Sequence, residues 1–340
     1  EKEPLGEGAF GVVFAGRLAG YRDRVAVKIM KMALDGEGDV IDPSAETDFV
    51  RECGTMQLLS HPNLIRFFGF GRRADGRNFL VTELMDVGSL DVVLRNPKLK
   101  WPGRLQMSAA LQVAQGMEHL HSIPLIHRDL KSANVMVSGR LRFAVGDFGL
   151  SRHFHPRRPA AVYSAFTGTY RVSRAATAAM APISTSDGVV IKPAIGSVDP
   201  VTLGRTLRPR IDMVGDMTKF CGSLSWMSPE IYRGDTIYDA SADVYSFGMV
   251  LWELIERKIP WASEMAVATG DAEMYAMLEH ALRTGQRPRI RPIFRLEYPA
   301  FVAVIEECWS GDPVDRPTMA AVVPRLAKCL RDLPSDNRIW

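Results

Sequence analysis

The chain has 340 residues, 46% hydrophobic and 24% charged, with a formal net charge of +3 at pH 7. That length exceeds one small core and fits one large domain or two lobes, and so small a net charge gives no reason to expect a nucleic-acid partner. No apolar run is long enough to span a bilayer and no secretory signal is present. A start at Glu1, directly before a glycine-rich stretch, is what a domain taken from a longer protein would show. The four cysteines, Cys53, Cys221, Cys308 and Cys329, form no CxxC pair and have no zinc-site spacing. They read as buried free thiols of a reducing, cytoplasmic compartment.

In chain order, "GVVFAGRL" and "RVAVKIM" are β-branched, apolar runs split by the polar turn "AGYRDR", so residues 5–31 predict strands. A helix is predicted from Pro43 to Ser60, with Asp42 as its cap and Phe49, Cys53, Met56 and Leu59 at helical spacing. Two more strands follow in "LIRFFGFG" and "NFLVTEL". After "DVGSL" the period changes. Helices are predicted over 103–122, over 242–256 (apolar on almost every side, hence buried), and near 271–284, 298–308 and 317–331. A β-rich N-lobe over 1–85 with one main helix, followed by a larger helical C-lobe over 86–334, is an α+β, two-lobed arrangement. Residues 156–210 stand apart. They hold six prolines, eleven Ser or Thr and a net charge of +6 without a clear period, which predicts a mobile loop.

Three stretches carry chemistry. In "LGEGAFGVV", Gly6, Gly8 and Gly11 form a G-x-G-x-x-G pattern. A dinucleotide fingerprint would need a helix opening within it, whereas strand residues follow here, so the backbone N–H groups can close over a triphosphate. A plain glycine-rich hairpin is the alternative. Lys28 ends the apolar strand "VAVK", where an ammonium can hold phosphate oxygens if an acidic partner fixes it. Glu52, on the helix face of Phe49, Cys53 and Met56, is the candidate partner, against the reading of a solvated surface glutamate. "IHRDLKSANVMV" then sets Asp129 and Asn134 five apart with Lys131 between them, and "GDFGL" follows with Asp147. Phosphoryl transfer needs a carboxylate to orient a hydroxyl, a cation near the γ-phosphate and hard oxygen ligands for magnesium; this run offers all of them.

On these motifs the sequence resembles a eukaryotic protein kinase over essentially its whole length, and the tyrosine-kinase-like group in particular. The resemblance implies a bilobal fold with ATP and Mg2+ in the cleft. It implies Lys28 on the α/β-phosphates, Glu52 paired with it, Asp129 as catalytic base, Lys131 at the γ-phosphate, and Asn134 and Asp147 on magnesium. "LVTELM" is similar to the hinge, with Thr82 as gatekeeper and the backbones of Glu83 and Met85 on adenine. Leu5, Val13 and Ala26 would cover the base and Met136 would lie below it. Asp243 resembles the buried helix residue that braces the catalytic loop, and Arg316 the arginine that pairs with the glutamate closing the activation segment.

That glutamate is Glu230. "GTYRVSRAATAAMAP" at 168–182 looks like an activation-segment end but lacks one, whereas "CGSLSWMSPE" at 221–230 has it, 13 residues before Asp243. The 156–210 stretch therefore reads as an insertion, and nothing catalytic is lost. Lys131 and Ser223 are similar to those of enzymes that phosphorylate Ser or Thr on proteins. "DVYSFGMVLWEL" and "CWSGDPVDRPTM" resemble tyrosine kinases too, so dual specificity stays open. Arg128 would dock an activating phosphate, expected near Thr218. The basic insertion could take an acidic partner or be phosphorylated, against the reading of a solvated loop. The rival functions are a pseudokinase scaffold, opposed by the presence of Lys28, Asp129, Asn134 and Asp147, and a nucleic-acid binder, opposed by the lack of interleaved aromatics in the loop.

Overall fold

The computed structural model describes residues 3–8, 11–31, 43–153, 183–184, 190–192, 224–234 and 239–334. They fall into two compact units, one holding the described residues up to Ser60, Ile65–Leu84 and residues 183–184 and 190–192, the other holding His61–Leu64 and the remaining described residues from Met85 onward. The division lies one residue before the boundary expected at 85, and the short His61–Leu64 segment belongs with the second unit.

The first unit is an antiparallel sheet of β1 (Pro4–Glu7), β2 (Gly11–Arg17), β3 (Arg24–Met30), β4 (Phe67–Arg72) and β5 (Asn78–Glu83), with helix α1 (Pro43–Leu58) against it. The strand order is β1-β2-β3-β5-β4. The two-residue period of β3 splits its side chains between the faces. On one face Val25 and Ile29 meet Leu18, Phe79 and Val81. On the other, Leu80 packs with Phe49 and Cys53 of α1. The predicted helical stripe is buried: Phe49, Cys53, Met56 and Leu59 are all under a tenth exposed. Pro43 is the first residue of α1, as Pro at a helix start allows; the cap assigned to Asp42 lies outside the described residues.

The reading of 156–210 as a structureless loop needs one correction. Within it, β11 (Ile183–Ser184) and β12 (Val190–Lys192) form an antiparallel pair, and β12 continues the sheet beyond β4, with Ile191 opposite Gly71 and Lys192 opposite Phe70. β4 would otherwise end the sheet with unpaired backbone N–H and C=O groups, and an extended segment satisfies them without needing a hydrophobic period of its own. The "GTYR" look-alike and the cysteine at 221 lie outside the described residues.

The second unit is mainly helical. Its long elements are α3 (Gly103–Ser122), α5 (Ser241–Glu256), α7 (Asp271–Arg283), α9 (Pro299–Cys308) and α10 (Met319–Asp332), each within two residues of its predicted span at either end. The short helices α2 (Leu90–Arg95), α4 (Pro229–Tyr232), α6 (Ala262–Met265) and α8 (Pro292–Glu297) were not legible as periods, since four to six residues hold less than two turns. Every residue of α5 from Ala242 to Glu256 is buried, so this helix is the axis of the unit. Close approach to it is bought by Gly248, where a Cβ would meet Cys308 Cβ and Trp309 N at 3.0 Å. Short strands β6 (Gly88–Ser89), β8 (Val135–Val137) and β9 (Phe143–Val145) form one small sheet, and β7 (Leu125–Ile126) pairs with β10 (Arg152–His153). Cys53 and Cys308 are buried free thiols, and burial pushes both up to about 12; Cys329 is only partly buried, against the reading of it as core.

Candidate active site

In the first unit, strand register decides which side chains share a face. Residues directly opposite each other on neighbouring strands point the same way. Val13 lies opposite Lys28, Lys28 opposite Leu80, and Ala26 opposite Thr82. Val13, Ala26, Lys28 and Thr82 therefore lie on one face, the face on which Leu80 meets α1. Helix α1 brings Glu52 to that face, and Lys28 Nζ stands 3.6 Å from Glu52 Oε1. Glu52 is only 6% exposed, which removes the reading of it as a solvated glutamate. An ammonium so placed is fixed in position by the acid beside it.

Gly6 and Gly8 have open space where a Cβ would sit, but at Gly11 a Cβ would lie 2.5 Å from the Ile29 carbonyl oxygen. Gly11 is therefore required by close approach of β2 to β3. Leu5, in β1, is half exposed. At the end of β5, Glu83 is fixed through its backbone and its side chain: its N–H donates to Arg66 O (2.9 Å) and its Oε1 accepts from Arg66 N–H (2.8 Å). Met85, buried, opens the second unit.

In the second unit the loop between β7 and β8 carries the acid, the lysine and the amide. Lys131 Nζ donates to Asp129 Oδ2 at 2.7 Å. Asn134 Nδ2 donates to Asp129 O (2.7 Å) and to Asp129 Oδ2 (3.0 Å). Both protons of that amide are thereby spent on Asp129, which turns the Asn134 carbonyl oxygen away as an acceptor. Gly146 N–H donates to Asn134 O at 2.8 Å, so Asp147 begins one residue from a backbone tie to Asn134. Asp147 and Arg128 both adopt left-handed backbone, φ 63° and 71°. For residues with a Cβ that conformation is costly, and it is held only where surrounding bonds over-determine it.

His127, missed in the sequence reading, supplies one of those bonds. It is fully buried; its Nε2 lies 3.0 Å from Gly146 O and its Nδ1 accepts from Asp129 N–H at 3.3 Å. A carbonyl can only accept and an amide N–H only donate, so the ring that satisfies both is the Nε2–H tautomer. His127 thus links the Asp129 and Asp147 segments, and its ring also stands against Phe148, centroids 5.3 Å apart. The alternation of β8 buries Val135 and Val137 and leaves Met136 half-buried on the opposite face.

Helix α5 holds this loop from below. Asp243 accepts from the backbone N–H of His127 (2.7 Å) and of Arg128 (2.8 Å), and its Oδ2 lies 2.9 Å from His121 Nε2. Burial opposes ionisation of Asp243, but the His121 and His127 interactions outweigh it and hold the carboxyl below its usual range. In α4, Glu230 takes the fork of Arg316, 2.6 Å to Oε1 and 2.9 Å to Oε2. Both are buried; burial again opposes ionisation of Glu230, and the guanidinium more than reverses it. Arg316 also donates to the carbonyls of Ser310 (2.9 Å) and Ser241 (3.0 Å), which seats the pair at the start of α5.

Each unit thus assembles its share of the expected residues. Thr218 and Ser223 lie outside the described residues. No cluster of three or more His, Cys, Asp or Glu able to hold a metal exists among the described residues. Asn134 Oδ1 and the Asp147 carboxylate are nonetheless hard oxygens, a donor set that fits Mg2+ completed by phosphate and water, and not a softer metal.

Residues 1–171 match the family described as protein tyrosine and serine/threonine kinase, and residues 204–325 match the protein kinase domain. The chain is 29% identical over 335 residues to a putative serine/threonine-protein kinase/receptor of Acanthamoeba polyphaga mimivirus, covering 97% of this chain and 16% of that protein. It is 29% identical over 342 residues to serine/threonine-protein kinase CTR1 of Arabidopsis thaliana, covering 99% of this chain and 32% of that protein. It is also 29% identical over 327 residues to the probable serine/threonine-protein kinase drkC of Dictyostelium discoideum, covering 95% and 33%. The chain therefore spans a third or less of the length of these relatives.

Proposed function

The chain belongs to the protein tyrosine and serine/threonine kinase family, and from that premise we propose that it transfers the γ-phosphate of ATP to Ser and Thr hydroxyls of protein substrates. The observation that carries the reading is the Asp129 cluster: a carboxylate with a lysine 2.7 Å away and an amide that spends both its protons on it.

In this reading Asp129 accepts the proton of the attacking hydroxyl, and Lys131 steadies charge on the phosphoryl group in flight. Lys28, held by Glu52, binds the α/β-phosphate oxygens. By the family resemblance, Leu5, Val13, Ala26 and Met136 are assigned to adenine, as are Thr82 and the backbones of Glu83 and Met85. Gly6, Gly8 and Gly11 let the β1–β2 turn lie close to phosphate. Asn134 and Asp147 hold Mg2+, which neutralises the phosphate charge. The Arg316–Glu230 pair anchors the substrate-docking end of the activation segment, and Arg128 and Thr218 serve its phosphate control. The Ser223 hydroxyl is assigned to Asp129 and Lys131 by resemblance to Ser/Thr enzymes alone. The serine/threonine-protein kinase names of the relatives support the acceptor class. The +6 charge of residues 156–210 supports an acidic protein partner for that stretch. No helix among the described residues is long and apolar enough to cross a membrane.

The test is phosphorylation of a peptide array containing Ser, Thr and Tyr acceptors, with Asp129→Asn as control. The wild type is expected to label Ser and Thr peptides, and the variant to lose about two to four orders of magnitude in kcat. Equal labelling by both proteins would end the enzyme reading, and labelling confined to Tyr would end the Ser/Thr one.

A further inference from the structure

One buried acid has no place in the mechanism above. Glu253 lies in the last turn of α5 and is fully buried. Its two carboxylate oxygens serve two different segments. Oε1 accepts from Ser132 Oγ–H at 2.6 Å, and Oε2 accepts from Trp226 Nε1–H at 2.6 Å. Ser132 opens the 3-10 turn Ser132–Asn134, one residue after Lys131, so it lies inside the loop that carries Asp129 and Asn134. Trp226 lies two residues before Ser228, on the approach to Glu230. The same helix holds the other end of this tryptophan, since Ser246 Oγ donates to Trp226 O at 2.8 Å.

We propose that Glu253 is a positioning residue that holds the phosphate-transfer loop and the substrate-docking segment in register through one carboxylate. The inference rests on the kinase reading, in which those two segments must present the base and the acceptor together. A fully buried carboxylate is a costly way to anchor two segments, because an amide or apolar packing would avoid the desolvation. A carboxylate can, however, accept from both a hydroxyl and an indole N–H with short, charge-assisted bonds.

The surroundings also make the anchor sensitive to protonation. The cation beside Glu253 is Arg95, whose NH1 is 3.8 Å from Oε1; Arg95 is itself one-third exposed and shared with Asp91, 2.9 Å away. Burial pushes Glu253 up to about 7, against the Ser132 and Trp226 hydrogen bonds and the Arg95 charge. The two partners then respond differently. Trp226 N–H can only donate, so the oxygen facing it must keep accepting. The Ser132 hydroxyl can reverse its role and accept from a protonated Glu253, whereas the Ser132 backbone N–H, which also bonds this carboxylate, can only go on donating. Protonation rewrites the hydroxyl bond to the catalytic loop and leaves the donations from Trp226 and from the Ser132 backbone as they were.

Glu253→Gln removes the charge and puts an NH2 in place of one carboxylate oxygen, so the NH2 can donate to the Ser132 hydroxyl and a single oxygen is left to accept from Trp226 and the Ser132 backbone N–H. The experiment measures kcat, KM for ATP and KM for peptide from pH 6 to 8.5 for the wild type, Glu253→Gln, Ser132→Ala and Asp129→Asn. The wild type is expected to lose kcat below a limb near pH 7. Glu253→Gln is expected to show kcat at pH 8 reduced about three- to ten-fold, an unchanged KM for ATP, and no such limb. That reduction is about 0.7–1.4 kcal/mol, the net contribution of one hydrogen bond. Ser132→Ala, which deletes only a hydroxyl, should reproduce both effects, and its combination with Glu253→Gln should add little, as expected for residues acting through one bond. Wild-type kcat and an intact limb in Glu253→Gln, or in Ser132→Ala if the first variant does not fold, would overturn the proposal. Turnover retained by Asp129→Asn would instead strike the kinase reading itself.

Discussion

Arg316 and Glu230 show how a single pair can matter to both folding and function. Each is nearly inaccessible to solvent, and the guanidinium fork meets both carboxylate oxygens. Removing one member strands the other charge in the interior, a loss of about 3–5 kcal/mol. Arg316→Ala is therefore expected to lower the unfolding free energy by that amount at pH 7, measured by chemical denaturation. Glu230 is held below its usual range in the folded state, so its contribution is present above its unfolded pKa and is lost as pH falls through the lower folded value. The difference between variant and wild type should shrink on acidification; a gap unchanged into strong acid would contradict the pairing. Glu253 works in the opposite sense. Its folded value is raised to about 7, so the stability it contributes is complete below its ordinary value and is lost as pH rises toward 7.

At the scale of elements, α3 shows why helical period and helix contact are different kinds of information. Its apolar stripe predicted the span 103–122 to the residue. Nothing in that stripe shows that Gly116 faces the His61–Leu64 segment, where a Cβ would lie 2.5 Å from Asn63 O and 3.2 Å from Leu64 Cδ2. Alanine normally stabilises a helix interior over glycine. Here the propensity gain is outweighed by displacement of a backbone carbonyl whose segment is also tied by Val145 N–H to Asn63 O at 2.9 Å. Gly116→Ala is expected to destabilise by about 1–3 kcal/mol, the cost of overpacking a fitted site. A rise in thermal midpoint would show instead that the segment yields freely.

At the scale of the whole molecule, the insertion changes the extent of the first unit's sheet. With β12 and β11 added, the order becomes β1-β2-β3-β5-β4-β12-β11, and β4 is no longer an edge. Deleting residues 158–208 should expose that edge. Hydrogen–deuterium exchange is expected to rise at Phe67–Arg72 while Asn78–Glu83, paired on both sides by β3 and β4, stays protected. Equal protection of β4 with and without the insertion would show that β12 does not hold it.

Much of this protein was legible from residue order alone, because the chemistry sits in short local strings. The spacing within "HRDLKSAN" places Asp129, Lys131 and Asn134 on one loop whatever surrounds it, and a two- or 3.6-residue period reports a buried face directly. What only the tertiary structure decided were partnerships between residues far apart in sequence. Glu253 and Ser132 are separated by 121 positions, and the two ring nitrogens of His127 find their partners in Gly146 and Asp129, on either side of the loop. β12 found β4 although its own stretch has no strand-like period. The physical reason is that burial and hydrogen-bond satisfaction depend on which groups meet across the core, and residue order states what a group is before it can state what the group will face.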